Sequence, residues 1–268
     1  MSETDAEAKK AVYDRQIRLW GAEAQERIGA SRALLWGFGG LNVEVCKNII
    51  LAGISVTVCD ERPVGAAQLG ANFFLREDDV GKGTARACLP RIAELNPFAS
   101  AEVVDGVDEE KLDGYAVVVV ERTAQPEAKY YEKVLRVAKA AREKKIAFFY
   151  ARGDADKGLV QADLGSDYGY VTDKKVPKVA QYPAFAFFGE ESSWNFARRK
   201  QDAPVAAWLE WIDKAYASSF SSKGEDYVAF AKAQLSSRGL DVPQEALERH
   251  RSLAGAQLGF AAGGVGGG

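Results

Sequence analysis

The segment from residue 33 to residue 60 constrains this chain most. Residues 33–36 are a short apolar run, Ala33-Leu34-Leu35-Trp36, followed by a turn of Gly37-Phe38-Gly39-Gly40. Residues 41–52 then carry helical spacing and end at Gly53, the residue type that closes helices in the left-handed conformation. Residues 55–59 form a second apolar run, which ends in Asp60. A strand, a glycine turn, a helix and a second strand make a βαβ unit, whose two strands lie parallel.

The alternation continues. Residues 82–95 have helical spacing, 101–105 strand character, and 115–120 form an unbroken valine-rich run suited to a strand buried on both faces. Residues 129–144 predict a further helix and 146–150 a fifth strand. This order predicts an α/β fold, a Rossmann-like, doubly wound and mainly parallel sheet. Before it, residues 1–10 are expected to be disordered. Tyr13, Ile17 and Trp20 fall on one face of a helix that Gly21 stops, and 22–28 forms another short one. After residue 151 the pattern changes. Residues 158–164 and 167–172 predict a β-hairpin, 176–188 further short strands, and 208–216, 226–235 and 244–250 helices. The expected result is a helical and β C-terminal extension.

The turn Gly37-x-Gly39-x-x-Asn42 nearly matches the phosphate-cradling glycine pattern, with asparagine in place of the third glycine. Asp60 lies 23 residues after Gly37, at the end of the second strand, where dinucleotide folds hold a ribose. The same glycines serve any strand that turns sharply into a helix. One alternative is therefore a small NAD-binding oxidoreductase using Gly37, Gly39 and Asp60. No Tyr-x-x-x-Lys pair lies in the helix that follows the fourth strand, residues 129–144, to support it.

Composition removes other chemistries. The chain of 268 residues has one histidine, His250, and three cysteines, Cys46, Cys59 and Cys88. A Ser-His-Asp or Cys-His apparatus has only His250 to draw on, and no CxxC pair exists for zinc, so no metal site is expected. The three thiols fall within a helix, a strand and a helix, where small core residues are usual. With 35 basic and 38 acidic residues the net charge is −3, which provides no field for nucleic acid. No apolar run reaches the ~18 residues of a membrane span.

A more specific string precedes the turn: Tyr13-Asp14-Arg15-Gln16-Ile17-Arg18-Leu19-Trp20-Gly21. With Ala33-Leu34-Leu35-Trp36-Gly37-Phe38-Gly39-Gly40-Leu41, Lys47-Asn48-Ile49-Ile50-Leu51-Ala52-Gly53-Ile54, Gly70-Ala71-Asn72-Phe73-Phe74-Leu75-Arg76, Val80-Gly81-Lys82 and Leu95-Asn96-Pro97, it resembles the ThiF/MoeB superfamily. That superfamily includes the ubiquitin-like-modifier activating enzymes. Within it, Phe148-Phe149, the stretch 158–165 and Tyr168 resemble the smaller, regulatory subunits of SUMO-activating enzymes.

The resemblance implies a ThiF-like pseudo-adenylation domain over residues 11–172. An extension over 173–268 would return to the same domain. Residues 254–268, which hold 7 of the 26 glycines, resemble the start of the family's glycine- and alanine-rich return helix, so the extension is expected to be truncated. Catalytic members bind ATP and magnesium and adenylate the modifier's C-terminal glycine. Their strand-two Asp-x-Asp aligns here with Asp60 and Arg62. Their Asn-x-Asn-Arg-Gln aligns with Gln68, Leu69, Gly70, Ala71 and Asn72, their lysine with Thr84, and their closing Asp-Asn with Arg122-Thr123. A degenerate site of Gly37, Gly39 and Asp60 is thus expected to hold no cofactor in this chain, with ATP and magnesium bound by a larger, cysteine-bearing partner.

The family's N-terminal arginine aligns with Arg15, which the resemblance assigns a catalytic role in trans on the partner's ATP. A surface arginine paired with Asp14 is the competing explanation, and Arg18 is expected to be a structural or dimer-face cation. The resemblance implies an obligate heterodimer, a SUMO-like modifier reached through it, and residence in the nucleus and possibly the cytoplasm. Arg198-Arg199-Lys200 suits either an import signal or a solvated helix face. The subunit serving the cullin modifier is a second possibility within the superfamily, although 268 residues leave little room for its long helical insertion.

Overall fold

The structure is a computed structural model, and it describes residues 3–122, 128–154, 157–171, 177–182, 184, 227–236, 244–245 and 247–248. His250, the basic run 198–200, the helix expected over 208–216 and the glycine-rich end lie outside the described residues. The chain divides into two compact units: Met1–Glu121 with Ala140–Tyr150, and Arg122–Lys139 with Ala151–Gly268.

In the first unit, β1 (Arg32–Trp36) lies between β2 (Ser55–Cys59) and β4 (Val117–Glu121), with β3 (Ala101–Val103) outside β2 and β5 (Ala147–Asp154) beyond β4. β1, β2, β3 and β4 run parallel. Leu34 pairs with Thr57 on one side and with Val118 on the other. The expected doubly wound, mainly parallel α/β sheet is the one observed. Because β1 is flanked by β2 on one side and β4 on the other, strand order reverses at β1/β4. Open α/β sheets keep their ligand crevice at such a switch point, outside the carboxyl ends of the strands.

α4 (Gly40–Ala52) connects β1 to β2. It turns Asn42, Val43, Cys46 and Ile50 inward, at the spacing of a single helix face. Val43, Cys46 and Ile50 meet Leu35, Val56, Val58 and Val119 from the sheet, and Cys88 and Ile92 from α6 (Thr84–Ala93), in one apolar core. All three cysteines are buried and free, as their positions in helix, strand and helix suggested. Burial pushes the Cys46 thiol up to about 12 and the Cys88 thiol up to about 11, which keeps both protonated and poor as nucleophiles.

Two local expectations give way. The N-terminus was expected to be disordered, but α1 (Glu3–Val12) is helical. Its Ala, Glu and Lys content favours a helix, and Lys9 and Lys10 sit in the last turn, where the helix dipole stabilises cations. The helix expected to carry Tyr13, Ile17 and Trp20 on one face is broken at Tyr13, and α2 spans Asp14–Trp20. Tyr13 is fully buried, Ile17 partly, and Trp20 is 41% exposed, so the shared face fades toward solvent.

In the second unit, α7 (Ala128–Glu143) enters from residue 128, and Tyr131, Val134, Val137 and Ala138 are its buried face. β6 (Lys157–Asp163) neighbours β5. The hairpin partners differ from those expected: β7 (Tyr168–Val171) pairs antiparallel with β8 (Pro177–Ala180), Tyr170 opposite Lys178. Sequence spacing alone could not choose between β6 and β8 as the partner of β7, because both are short runs within turn distance. α8 (Tyr227–Ser236) matches the helix expected over 226–235, shifted by one residue at each end.

Candidate functional site

Gly37 adopts φ +79°, a backbone conformation that side-chain-bearing residues rarely take, and its N–H donates to the Cys59 carbonyl. The glycine is therefore required by the turn itself. Three residues on, α4 begins, and its first N–H groups have no partners inside the helix. In this chain they find one in Glu121, the last residue of β4. Glu121 Oε2 accepts from the N–H of Gly39 at 2.9 Å and of Asn42 at 2.7 Å. Its Oε1 accepts from Leu41 N–H at 3.2 Å.

Glu121 is only 8% exposed. Burial raises its carboxyl above the ordinary glutamate range, against the opposing pull of the Asn42, Leu41 and Gly39 N–H groups and the nearby Arg62 guanidinium. Gly39 has no room for a side chain on this side, since a Cβ there would stand 2.5 Å from Glu121 Oε1. The asparagine in place of the third glycine is also committed. Asn42 Nδ2 donates to the carbonyl of Gly37 at 2.7 Å, and more weakly to those of Trp36 and Val119 at 3.3 Å.

Asp60 is closed in a comparable way. Its Oδ2 accepts from Phe38 N–H at 2.7 Å and from an Arg62 guanidinium N–H at 2.6 Å, and its Oδ1 accepts from Arg62 Nε at 3.0 Å. This paired, fork-on-fork contact is the strong form of an arginine–carboxylate bond. The positions beyond it are tied into the same local structure. Gln68 donates to the Thr84 hydroxyl, Thr84 donates to the Arg62 carbonyl, and buried Asn72 donates weakly to the Phe38 carbonyl. Arg122 is buried, lies 6.0 Å from the Tyr131 ring and belongs to the second unit; Thr123 lies outside the described residues.

Gly37, Gly39 and Asp60 are therefore brought together as the sequence suggested, around a turn whose donors and acceptor are already used. Sequence reasoning missed Glu121. Its signal was an acid closing the valine run Val117-Val118-Val119-Val120 at the carboxyl end of the strand beside the glycine turn. A nucleotide fits this arrangement poorly: the amides that would cradle a phosphate face a carboxylate, and the acid that would hold a ribose faces an arginine. The Asp60 carboxylate that the NAD-binding alternative would use is bonded to Phe38 N–H and Arg62.

Arg15 stands apart from the turn, on α2, which buries no residue within the chain. Asp14 pairs with Arg18 at 2.9 Å rather than with Arg15. Among the described residues Arg15 is exposed and has no hydrogen-bond or ion-pair partner. Leu19, 76% exposed, and Trp20 leave apolar surface on the same helix. Two other residues of the signature string, Tyr13 and Trp20, are bonded within the chain. Tyr13 Oη accepts from Asn96 Nδ2 at 2.8 Å, Asn96 Nδ2 also donates to the Ile50 carbonyl at 2.6 Å, and Gln25 joins Trp20 Nε1 to the Ala52 carbonyl. Among the described residues, no group of three His, Cys, Asp or Glu side chains is placed to hold a metal ion, and no helix is long and apolar enough to cross a membrane.

Comparison with known proteins agrees with the string. Residues 13–118 match the ThiF family. The chain is 31% identical to SUMO-activating enzyme subunit 1 of Dictyostelium discoideum over 209 residues, covering 75% of this chain and 61% of that protein. It is 37% identical to human SUMO-activating enzyme subunit 1 over 186 residues, covering 66% of this chain and 51% of the human one. The chain thus spans about half to three-fifths of the length of these relatives. Among solved structures, the Escherichia coli tRNA N6-threonylcarbamoyladenosine dehydratase TcdA is similar with a TM-score of 0.46 and 21% identity, over 54% of this chain and 61% of that one. Residues 13–118 therefore resemble the ThiF family, and the chain is similar to SUMO-activating enzyme subunit 1.

Proposed function

We propose that this chain is the non-catalytic small subunit of a heterodimeric SUMO-activating enzyme. Its larger, cysteine-bearing partner binds ATP and magnesium, adenylates the C-terminus of a SUMO-like modifier and takes it as a thioester. The observation that carries this reading is that the chain's own nucleotide position is spent internally, with the turn amides on Glu121 and Asp60 on Arg62. A half-site of this kind lacks the free cations and amides that must face the charge developing at an adenylated phosphate.

Arg15 is the residue proposed to act outside the chain. It is supported by its exposure, its lack of a partner among the described residues, and the assignment of Asp14 to Arg18. An arginine supplied in trans stabilises the negative charge of the partner's phosphates during transfer. Nuclear residence is proposed with this function.

Reconstitution tests the reading. The purified chain alone should not exchange pyrophosphate into ATP. Adding the larger subunit should give a thioester to a SUMO-like modifier and not to the cullin modifier. Arg15→Ala in the complex should lower pyrophosphate exchange by about 10³-fold or more, with dimer formation unchanged by size-exclusion chromatography. Exchange by the chain alone would overturn the reading, and unchanged exchange in the variant complex would return Arg15 to the role of a surface cation.

A further inference from the structure

α2, which carries Arg15, has 7 residues and lies between two interruptions of the backbone. At one end Tyr13, with φ −98° and ψ 10°, separates it from α1. At the other Gly21, with φ +90° and ψ 162°, separates it from α3 (Ala22–Gly29). A Cβ at Gly21 would meet nothing within 4 Å, so packing does not fix the second break. A helix this short is marginal by itself, and no residue of α2 is fully buried. Its ion pair, Asp14 with Arg18, is internal to the helix. The direction in which Arg15 points therefore depends on how the ends of α2 are held.

Side chains hold both ends. Tyr13 is buried, and Asn96 Nδ2 donates to its hydroxyl at 2.8 Å. The other end is held by Gln25 of α3. Trp20 Nε1 donates to Gln25 Oε1 at 3.1 Å, and Gln25 Nε2 donates to the Ala52 carbonyl at 2.9 Å. That carbonyl lies in the last turn of α4, where carbonyls have no partner further along the helix. Gln25 is 6% exposed, and its Nε2 lies 3.4 Å from where a Cβ on Gly53 would stand. One side-chain amide, with an acceptor and a donor at its tip, thus joins α2, α3 and α4.

We propose that Gln25 is a positioning residue for Arg15. Through Trp20 it fixes the angle of α2 against α3 and α4, and so the place at which the Arg15 guanidinium meets the partner's phosphates. The inference rests on the reading of Arg15 as a cation supplied in trans, and says what aims it. Without the link to Gln25, α2 keeps its attachment at Tyr13 and turns about it. The guanidinium is then displaced although Arg15 itself is intact. Gln25 touches no substrate and acts only through Arg15.

The test is a double-mutant cycle in the complex with the larger subunit, read by pyrophosphate exchange. Gln25→Leu fills the same space and removes both hydrogen bonds. It should lower exchange by about 10²-fold, the scale set by a displacement of about 1 Å at a reacting centre. Dimer formation by size-exclusion chromatography should be unchanged. In the Arg15→Ala background the same substitution should lower exchange no further, within about 2-fold, because nothing is left to position. A merely structural role would lower exchange by the same factor in both backgrounds. If Gln25→Leu does not fold, Trp20→Phe removes the link from its accessible side and should show the same dependence on Arg15.

An assembled Gln25→Leu complex with wild-type exchange would overturn the inference. So would losses that multiply when the two substitutions are combined. Either result, with Arg15→Ala still lowering exchange, leaves the reading of Arg15 standing. Exchange unchanged by Arg15→Ala removes both.

Discussion

At the head of α4 three amide protons depend on one carboxylate, so changes at the turn are read through Glu121. Glu121→Ala leaves the buried Asn42 N–H and the half-buried Gly39 and Leu41 N–H groups without this acceptor; at about 1–3 kcal/mol for the buried one and less for the two that water can reach, the variant should lose about 2–4 kcal/mol, measured by urea unfolding. Gly39→Ala should cost about 1–3 kcal/mol by overpacking, since its φ of −90° is unstrained and only the carboxylate stands in the way. The titration of Glu121 has a definite sign. A carboxyl raised in the native state is still protonated there at a pH where the unfolded chain has ionised. Above the ordinary glutamate value of about 4.3, stability therefore falls as pH rises toward the native pKa, and Glu121→Gln should abolish that slope. Asp79 behaves oppositely. The Lys82 ammonium, the Arg76 N–H and Arg91 hold its carboxyl below the usual range, so its contribution is lost as pH falls through and below the aspartate value of about 3.9. Gly37, Gly39 and Asp60 were legible because a turn and a strand end are local facts. Glu121 was not, because its contact with Gly39 bridges 82 residues and depends on β4 lying beside β1.

Among the elements, the work of the N-terminal string divides in two. Its buried half fastens α2 and α3 (Ala22–Gly29) to the end of α4, through Tyr13, Asn96 and the Ile50 carbonyl, and through Trp20, Gln25 and the Ala52 carbonyl. Gly53 completes this joint, with φ +105° and the Tyr13 hydroxyl 2.9 Å from where a Cβ would stand. Tyr13→Phe removes one hydrogen-bond acceptor and should cost about 1 kcal/mol. Gly53→Ala combines a left-handed backbone with a clash and should cost more than Tyr13→Phe, with chemical denaturation of both variants as the check. The parallel strands and their connecting helices were legible because each follows from a repeated hydrophobic period. Two features were not. Helix formation in α1 depends on the summed propensity of a polar segment, and the pairing of β7 with β8 depends on which neighbouring strand the chain meets.

At the scale of the molecule, a sheet of the nucleotide-binding kind has kept its strands, its switch point and its glycine turn while its charged groups bond to one another. The fold expected from strand and helix order is present in the first unit. Glu121 takes the amides at the turn and Arg62 pairs with the ribose-side acid, the two contacts on which the proposed loss of nucleotide binding rests. Arg15, exposed on a helix with no fully buried residue, is the cation proposed to act elsewhere. The central claim is that this chain does not bind nucleotide by itself. Calorimetric titration of magnesium ATP tests it most directly, into the isolated chain and into its complex with the larger subunit. The account predicts no binding to the isolated chain and one nucleotide per heterodimer. Stoichiometric binding of ATP to the isolated wild-type chain, with Glu121 in place, would contradict it.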